Sequence, residues 1–414
     1  MLTPGNCATT LPMLQLRTSL LSIAILASLL VACAPGAVPT SGPTVTAADT
    51  VITRTKLDSL QAIIAELSKP IPDSTVNIGI HPIALPDTLS IIGVGDIMVG
   101  TNYPKESYLP PDFANGLWAD VKTVLRDADV TFGNLEGVIL NEGGIPKYCS
   151  DPSICYAFRS PEVYSYHLAD AGFDVMSTAN NHAGDFGDPG RENTMRVLDV
   201  LGIAHGGQLT KPTATFVRNG VRYGFAAFAP NTGTLSINDI PNAMRIVREL
   251  KQVSDVVIVS FHGGAEGSKH EHVTRQREVF YGENRGNVYE FAHAMVDAGA
   301  DIILGHGPHV TRAVEVYKDR FIAYSLGNFN TYGRFNLRGP NGIAPIVKVY
   351  LHPDGRFMYG QIIPTYQSGE GGARIDAGGR VIEKIRSLTA EDFPEGSLHI
   401  DDAGYIRYLS KQTP

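Results

Sequence analysis

Five short apolar runs in this chain each stop at a residue able to bind a metal. Ile91-Ile92-Gly93-Val94-Gly95 ends at Asp96, and Val130-Thr131-Phe132-Gly133 ends at Asn134-Leu135-Glu136. The run from Val175 to Ala179 ends at Asn180-Asn181-His182. Val256 to Phe261 ends at His262, and Ile302 to Gly305 ends at His306, with His309 three places on. Runs this short and rich in β-branched residues predict buried strands. Helical stretches over 113–127, 161–171, 191–201 and 288–298 separate them, which predicts βαβ units around a largely parallel sheet. Ligands of open α/β sheets bind beyond the carboxyl ends of the strands. Five such endings point to one shared site.

The chain has 414 residues, 43% of them hydrophobic, which is enough for a large core. A net charge of −8 without a basic run excludes nucleic acid as the expected partner. Residues 20–32 are apolar and uncharged but too short for a bilayer core of about 30 Å. Behind Arg17 they read as the h-region of a secretory signal, and Met13 would start a more typical one. The run ends in Leu30-Val31-Ala32-Cys33, which resembles the lipobox of bacterial lipoproteins. That resemblance implies cleavage before Cys33 and lipidation of its thiol; the alternative is a plain cleaved signal with an incidental cysteine. Cys149 and Cys155 are then the thiols left in an oxidising compartment, close enough to close a small loop, and a disulfide between them is expected.

Residues 34–50, rich in Ala, Pro and Thr, read as a flexible tether, and Leu57, Leu60, Ile63, Ile64 and Leu67 recur at helical spacing. The expected plan is a lipoprotein signal over 1–32, a lipid-anchored tether with a short amphipathic helix over 33–88, the main domain over 89–370 and a C-terminal extension over 371–414. Val347–Leu351 and the run from Phe357 to Ile363 flank Pro353-Asp354-Gly355, which predicts a β-hairpin. Past Pro364 glycine and charge dominate until Tyr405–Leu409, and little core is expected there.

A hydrolytic two-metal site holds its ions about 4 Å apart with fixed carboxylate, amide and imidazole ligands. Oxygen and imidazole donors without thiolate suit Mn, Fe or Zn. Candidate ligands here are Asp96, Glu136 or Asn134, Asn181, His262, His306 and His309, with His182 as general acid or electrostatic stabiliser. Each also has an ordinary reading. Asp96 would suit a turn cap, Asn134 and Asn180 would suit turn hydrogen bonds, and Glu266 is either a carboxylate orienting a ligand or a plain loop residue. Four histidines at strand ends are not independent events, whereas His167, His205, His270, His272 and His293 lie off these positions.

The order of these groups resembles that of calcineurin-like metallophosphoesterases. It is more similar to the CapA/PgsA family of bacterial poly-γ-glutamate capsule synthesis proteins. The resemblance rests on Gly95-Asp96-Ile97-Met98, Gly133-Asn134-Leu135-Glu136, Ala179-Asn180-Asn181-His182, Ser260-Phe261-His262-Gly263-Gly264-Ala265-Glu266, Gly305-His306-Gly307-Pro308-His309 and Tyr324-Ser325-Leu326-Gly327-Asn328-Phe329. It implies an α/β sandwich of two mixed β-sheets flanked by helices, and two divalent ions held by Asp96, Glu136, Asn181, His262, His306 and His309. His182 would be catalytic, and Asn134, Asn180, Glu266 and Asn328 would orient ligands or touch substrate. It further implies a membrane-anchored envelope lipoprotein on the extracytoplasmic side. That protein would make, transfer or anchor a poly-γ-glutamate-type polymer, or act on a small phosphoester or γ-glutamyl substrate.

Some positions depart from the fold's usual motifs. Met98 stands in place of a histidine, Gly-Asn-Leu-Glu in place of Gly-Asp-x-x-Asp, Gly263 in place of tryptophan and Gly307 in place of histidine, and residues 272–287 look inserted. A non-catalytic scaffold or polymer-binding factor on the same fold is the second reading.

Overall fold

The computed structural model of the chain describes residues 86–149 and 156–408. The expected signal, lipidated Cys33, tether and helix over 57–67 lie outside the described residues, as does Cys155. No helix among the described residues is long and apolar enough to cross a membrane.

The apolar runs form two mixed sheets. In the first, Leu89–Met98, Val130–Leu135, Val175–Ser177 and Ala204–Gly206 pair in parallel. On the other side of Leu89–Met98 follow Ile343–Leu351, Phe357–Tyr366, Tyr405–Tyr408 and Leu398–Ile400, all antiparallel. Asn328–Thr331 adds in parallel at the Met98 end. In the second sheet Val221–Phe228, Val256–His262, Ile302–His306 and Arg320–Ala323 run parallel, edged by antiparallel Thr213–Arg218 and Val314–Tyr317.

Alternate side chains of the two sheets meet between them. Ile91, Val130 and Phe132 pack there with Phe225, Ile258 and Leu304, all fully buried. Each such side chain contributes about 1.5–3 kcal/mol by leaving water. Helices Glu162–Asp170 and Gly187–Val200 cover the outside of the first sheet, and Ile240–Val253 and Val288–Ala298 cover the second. This is the flanked two-sheet sandwich the sequence leads one to expect. The hairpin also forms, with strands Ile343–Leu351 and Phe357–Tyr366 in antiparallel register.

Two expectations need correction. The stretch 113–127 is not one helix but a 3-10 segment, Pro111–Leu117, then a single α-turn, Lys122–Leu125. Its helical-looking apolar spacing serves packing of Leu117, Trp118, Val121 and Leu125 on the sheet, while left-handed backbone at Asp112, Phe113 and Ala114 (φ 50°, 51° and 67°) breaks a continuous helix. The second correction is at the C-terminus, where more than a little core is present. Helix Arg380–Asp392 buries Val381, Ile382, Ile385 and Leu388, and Ile400 and Ile406 extend the first sheet's core.

Candidate metal centre

Strand register gathers the predicted residues where the parallel strands of both sheets end. Asp96 lies beside Asn134 and Asn328 on neighbouring strands, and His306 lies beside His262. The pairing of Leu89–Met98 with Val130–Leu135 shifts register between Gly93 and Asp96, an irregularity of the kind that re-aims side chains next to sites. Asp96, Asn134, Glu136, His262 and His306 are all buried.

Asn134 ties the two carboxylates together. Its Nδ2 donates to Asp96 Oδ1 at 2.8 Å and to Glu136 Oε2 at 2.6 Å, and its Oδ1 accepts from Asn180 Nδ2 at 3.1 Å. His309 Nδ1 donates to Asp96 Oδ2 at 2.8 Å. His306 Nδ1 lies 3.3 Å from Asp96 Oδ1, and His262 Nδ1 lies 3.6 Å from Glu136 Oε2. One donor atom each from Asp96, Glu136 and His262 fall within 4.8 Å of one another.

What this cluster lacks is as informative. Glu136 Oε1 and both ring nitrogens of His262 and of His306 are buried without a hydrogen-bond partner, and so are Asn181 Oδ1 and Asn328 Oδ1. Buried polar atoms are ordinarily paired, and each orphan costs about 1–3 kcal/mol. Such atoms collected around two carboxylates fit a bound cation.

The electrostatics agree. Burial, reinforced by the Asp96 charge, pushes the Glu136 carboxyl well above its usual range, a strain that a cation between the two would relieve. Burial acts the same way on Asp96, but the imidazoles of His306 and His309 outweigh it and hold that carboxyl far below the usual range. Burial, then the Arg285 charge, keeps His262 neutral, the form a metal ligand needs. His309 is raised by its hydrogen bond to Asp96 against the effect of burial, which pairs it with that carboxylate; an ion on its other ring nitrogen would hold the ring neutral instead. It also adopts a left-handed backbone, φ 57°, and such strain clusters at functional sites.

His182 stands on the opposite wall. Asp185 Oδ2 holds its Nδ1 at 2.7 Å, and Lys147 Nζ lies 2.6 Å from the other Asp185 oxygen. The Nε2 edge is thereby turned toward Glu136 Oε1, 4.0 Å away. Burial lowers the basicity of His182, with Asp185 opposing it. The Asn180 side chain accepts the His182 N–H at 3.1 Å, so Asn180 does fill the turn role as well. Asn181, Glu266 and Asn328 line the adjoining cleft of about 650 Å³, with Glu266 Oε1 3.2 Å from Arg285 Nη2. Cys149 lines it too and is disulfide-bonded.

Sequence reasoning overlooked Asp185, Lys147 and Arg285. Only Asp185 carried a usable signal, an Asp three residues past the histidine. The departures from the usual motifs have local causes. Met98 is buried, and its Sδ accepts the Gly100 N–H at 3.2 Å, so it plays no ligand part. Gly263 and Gly307 are one change seen twice. Gly307 has φ 116°, and a Cβ on it would lie 2.6 Å from Gly263 O, so the two loops meet backbone to backbone.

Comparison with known proteins agrees with these motifs. The model of the family described as bacterial capsule synthesis protein PGA_cap matches residues 90–332. The PGA biosynthesis protein CapA of Bacillus subtilis (strain 168) is 32% identical over 260 residues, covering 59% of this chain and 63% of that protein. The capsule biosynthesis protein CapA of Bacillus anthracis is 31% identical over 264 residues, covering 59% and 60%. The chain therefore spans less than two thirds of the length of these relatives. Among solved structures, purple acid phosphatase PPD1 from yellow lupin (Lupinus luteus) seeds is 10% identical. It covers 74% of this chain and 56% of that one at a TM-score of 0.35, too low to carry a functional argument. On the match over 90–332, with Asp96, Glu136, His182, His262 and His306 inside it, the chain belongs to the bacterial capsule synthesis protein family PGA_cap.

Proposed function

We propose that this protein is a metal-dependent hydrolase or transferase in the synthesis or anchoring of a poly-γ-glutamate-type envelope polymer. The observation that carries the reading is the set of unpartnered buried donor atoms on Glu136, His262 and His306 around the Asp96–Glu136 pair. Asp96, Glu136 and His262 would hold a divalent ion, Mn, Fe or Zn, with His306, His309 and Asn181 serving a second. Such an ion supplies Lewis-acid polarisation of a carbonyl or phosphoryl oxygen.

The side chains do the rest. Asn134 fixes the two carboxylates relative to each other, which keeps the donor set preorganised. Asp185 accepts the Nδ1–H of His182 and so leaves Nε2 as the lone-pair face toward the cleft. Because burial lowers its basicity, the ring is neutral at neutral pH. Nε2 would accept the proton of the attacking water or hydroxyl as its oxygen bonds to the scissile carbonyl or phosphorus centre, and return it to the leaving oxygen or nitrogen as that bond breaks. Phe158 packs against this ring at an interplanar angle of 35°, 4.3 Å between centroids, and shields it from water.

Elemental analysis after manganese or zinc loading tests the reading. We expect up to two ions per chain and a melting temperature that falls on chelation, since a ligand bound only to the folded state stabilises it. A folded protein without metal would favour the non-catalytic scaffold.

The names of the relatives support the polymer, and the Leu30-Val31-Ala32-Cys33 sequence supports membrane attachment through a lipidated Cys33 on the extracytoplasmic side. One diacylglyceryl thioether supplies two chains, enough for stable anchoring. Cys33→Ser is expected to move the protein to the soluble fraction or leave it unprocessed. A normally cleaved variant that still sediments with membranes would refute the anchor.

A further inference from the structure

The wall of the cleft is built by the segment that joins strand Val256–His262 to helix Val288–Ala298, and it is tied down from two sides. From inside, buried Arg285 donates through Nε to Gly264 O at 3.0 Å and through Nη2 to Gly307 O at 3.4 Å. One guanidinium thus joins the loops that follow His262 and His306. Buried Arg312 holds both oxygens of Glu278, at 2.8 and 2.7 Å, and Glu278 accepts the Ala265 N–H.

From outside, the hold comes from helix Arg380–Asp392. Asp392, its side chain 6% exposed, accepts from His272 Nδ1 at 2.8 Å and from Val273 N–H at 2.9 Å. Arg275 donates to Asp392 O at 2.8 Å, and its guanidinium lies over the rings of Tyr289 and Phe393 at 4.9 and 5.1 Å. Lys384 pairs with Glu271 at 3.0 Å.

The placement of Asp392 runs against helix electrostatics. It sits in the last turn, which contains no basic residue, at the negative end of the macrodipole where a carboxylate is disfavoured. The donors of residues 272–275 offset that cost. The helix also lies beyond the residues matched by the family model, 90–332.

We propose that helix Arg380–Asp392 braces the cleft wall, with Asp392 as the positioning residue that sets the 264–286 segment, and through Arg285 the ends of the two histidine strands. Only the metal-affinity readout below rests on the function proposed above.

Hydrogen exchange by mass spectrometry of the full protein tests the brace. In Asp392→Ala, amides of 264–286 should exchange about tenfold faster, the loss expected for charge-assisted bonds opening locally, while strand Val256–His262 keeps its protection. Arg275→Gln, an exposed change that leaves the helix intact, should give the same pattern. Metal affinity should fall by about tenfold in both, the lower end for residues that orient ligands. Unchanged exchange over 264–286 in either variant, or faster exchange confined to the helix itself, overturns the brace whether or not the protein binds metal. A wild type that binds no metal, with the exchange pattern as expected, leaves the brace standing and removes the metal reading.

Discussion

On the metal reading proposed above, His262→Ala is expected to lose bound metal and keep its fold. His262 ends a fully buried strand beside His306, and neither of its ring nitrogens has a hydrogen-bond partner. If the proposed ion is bound there, removing His262 deletes a direct donor to it. Loss of groups that merely orient a ligand already costs about 10–100-fold in affinity, so the loss here should exceed about 100-fold. Stability of the metal-free protein should change little. The variant sheds two orphaned buried nitrogens, each costing about 1–3 kcal/mol, and gains a cavity of comparable cost. The melting temperature of the wild type should therefore fall on chelation, whereas that of the variant should not respond. Metal per chain and melting with and without chelator, measured in both proteins, decide it. A variant that retains stoichiometric metal would remove His262 from the donor set.

Much of this site was readable because its logic is local. A buried strand flanked by core carries apolar residues, so a polar residue closing a β-branched run marks where the strand meets a site: His262 and His306 are the last residues of their strands and Asp96 lies two residues before the end of its own. Helix Val288–Ala298 was found at its true bounds because its ends are chemical. The Asn287 side chain accepts the Glu290 N–H, and left-handed Gly299 closes the last turn. What local pattern does not encode is the partner across the fold. Lys147 reaches Asp185 across the loops of the first sheet, and Arg285 reaches Gly264 and Gly307 only once strands Val256–His262 and Ile302–His306 are paired. Helix Arg380–Asp392 was missed for a different reason. Val381, Ile382, Ile385 and Leu388 carry helical spacing, but Gly378, Gly379 and the surrounding charges made the stretch look like loop.

Gly95→Ala should destabilise the domain strongly, and it should take the site with it. The backbone before Asp96 passes directly against the turn at Leu326-Gly327, where Asp96 N–H donates to Gly327 O at 2.8 Å. A Cβ on Gly95 would lie 2.0 Å from that oxygen and 2.5 Å from Leu326 O. Both obstacles are backbone, so no rotamer change relieves them. Either strand Asn328–Thr331 leaves its parallel pairing with Leu89–Met98, or Asp96 moves away from His306 and His309. Ordinary overpacking costs about 1–3 kcal/mol; a clash between two backbones should reach or exceed the top of that range. At about 2.1 cal/mol/K of unfolding entropy per residue over a folded domain of about 320 residues, about 3 kcal/mol lowers the melting temperature by roughly 4–5 °C. Gly116→Ala is the control, because a Cβ there meets nothing within 4 Å, and it should melt with the wild type. Metal content should fall in the Gly95 variant and stay unchanged in the control. If the two variants melt within about 1 °C of each other, a shift on the scale of under 1 kcal/mol, the backbone crossing at Gly95 is not what holds Asp96 in place.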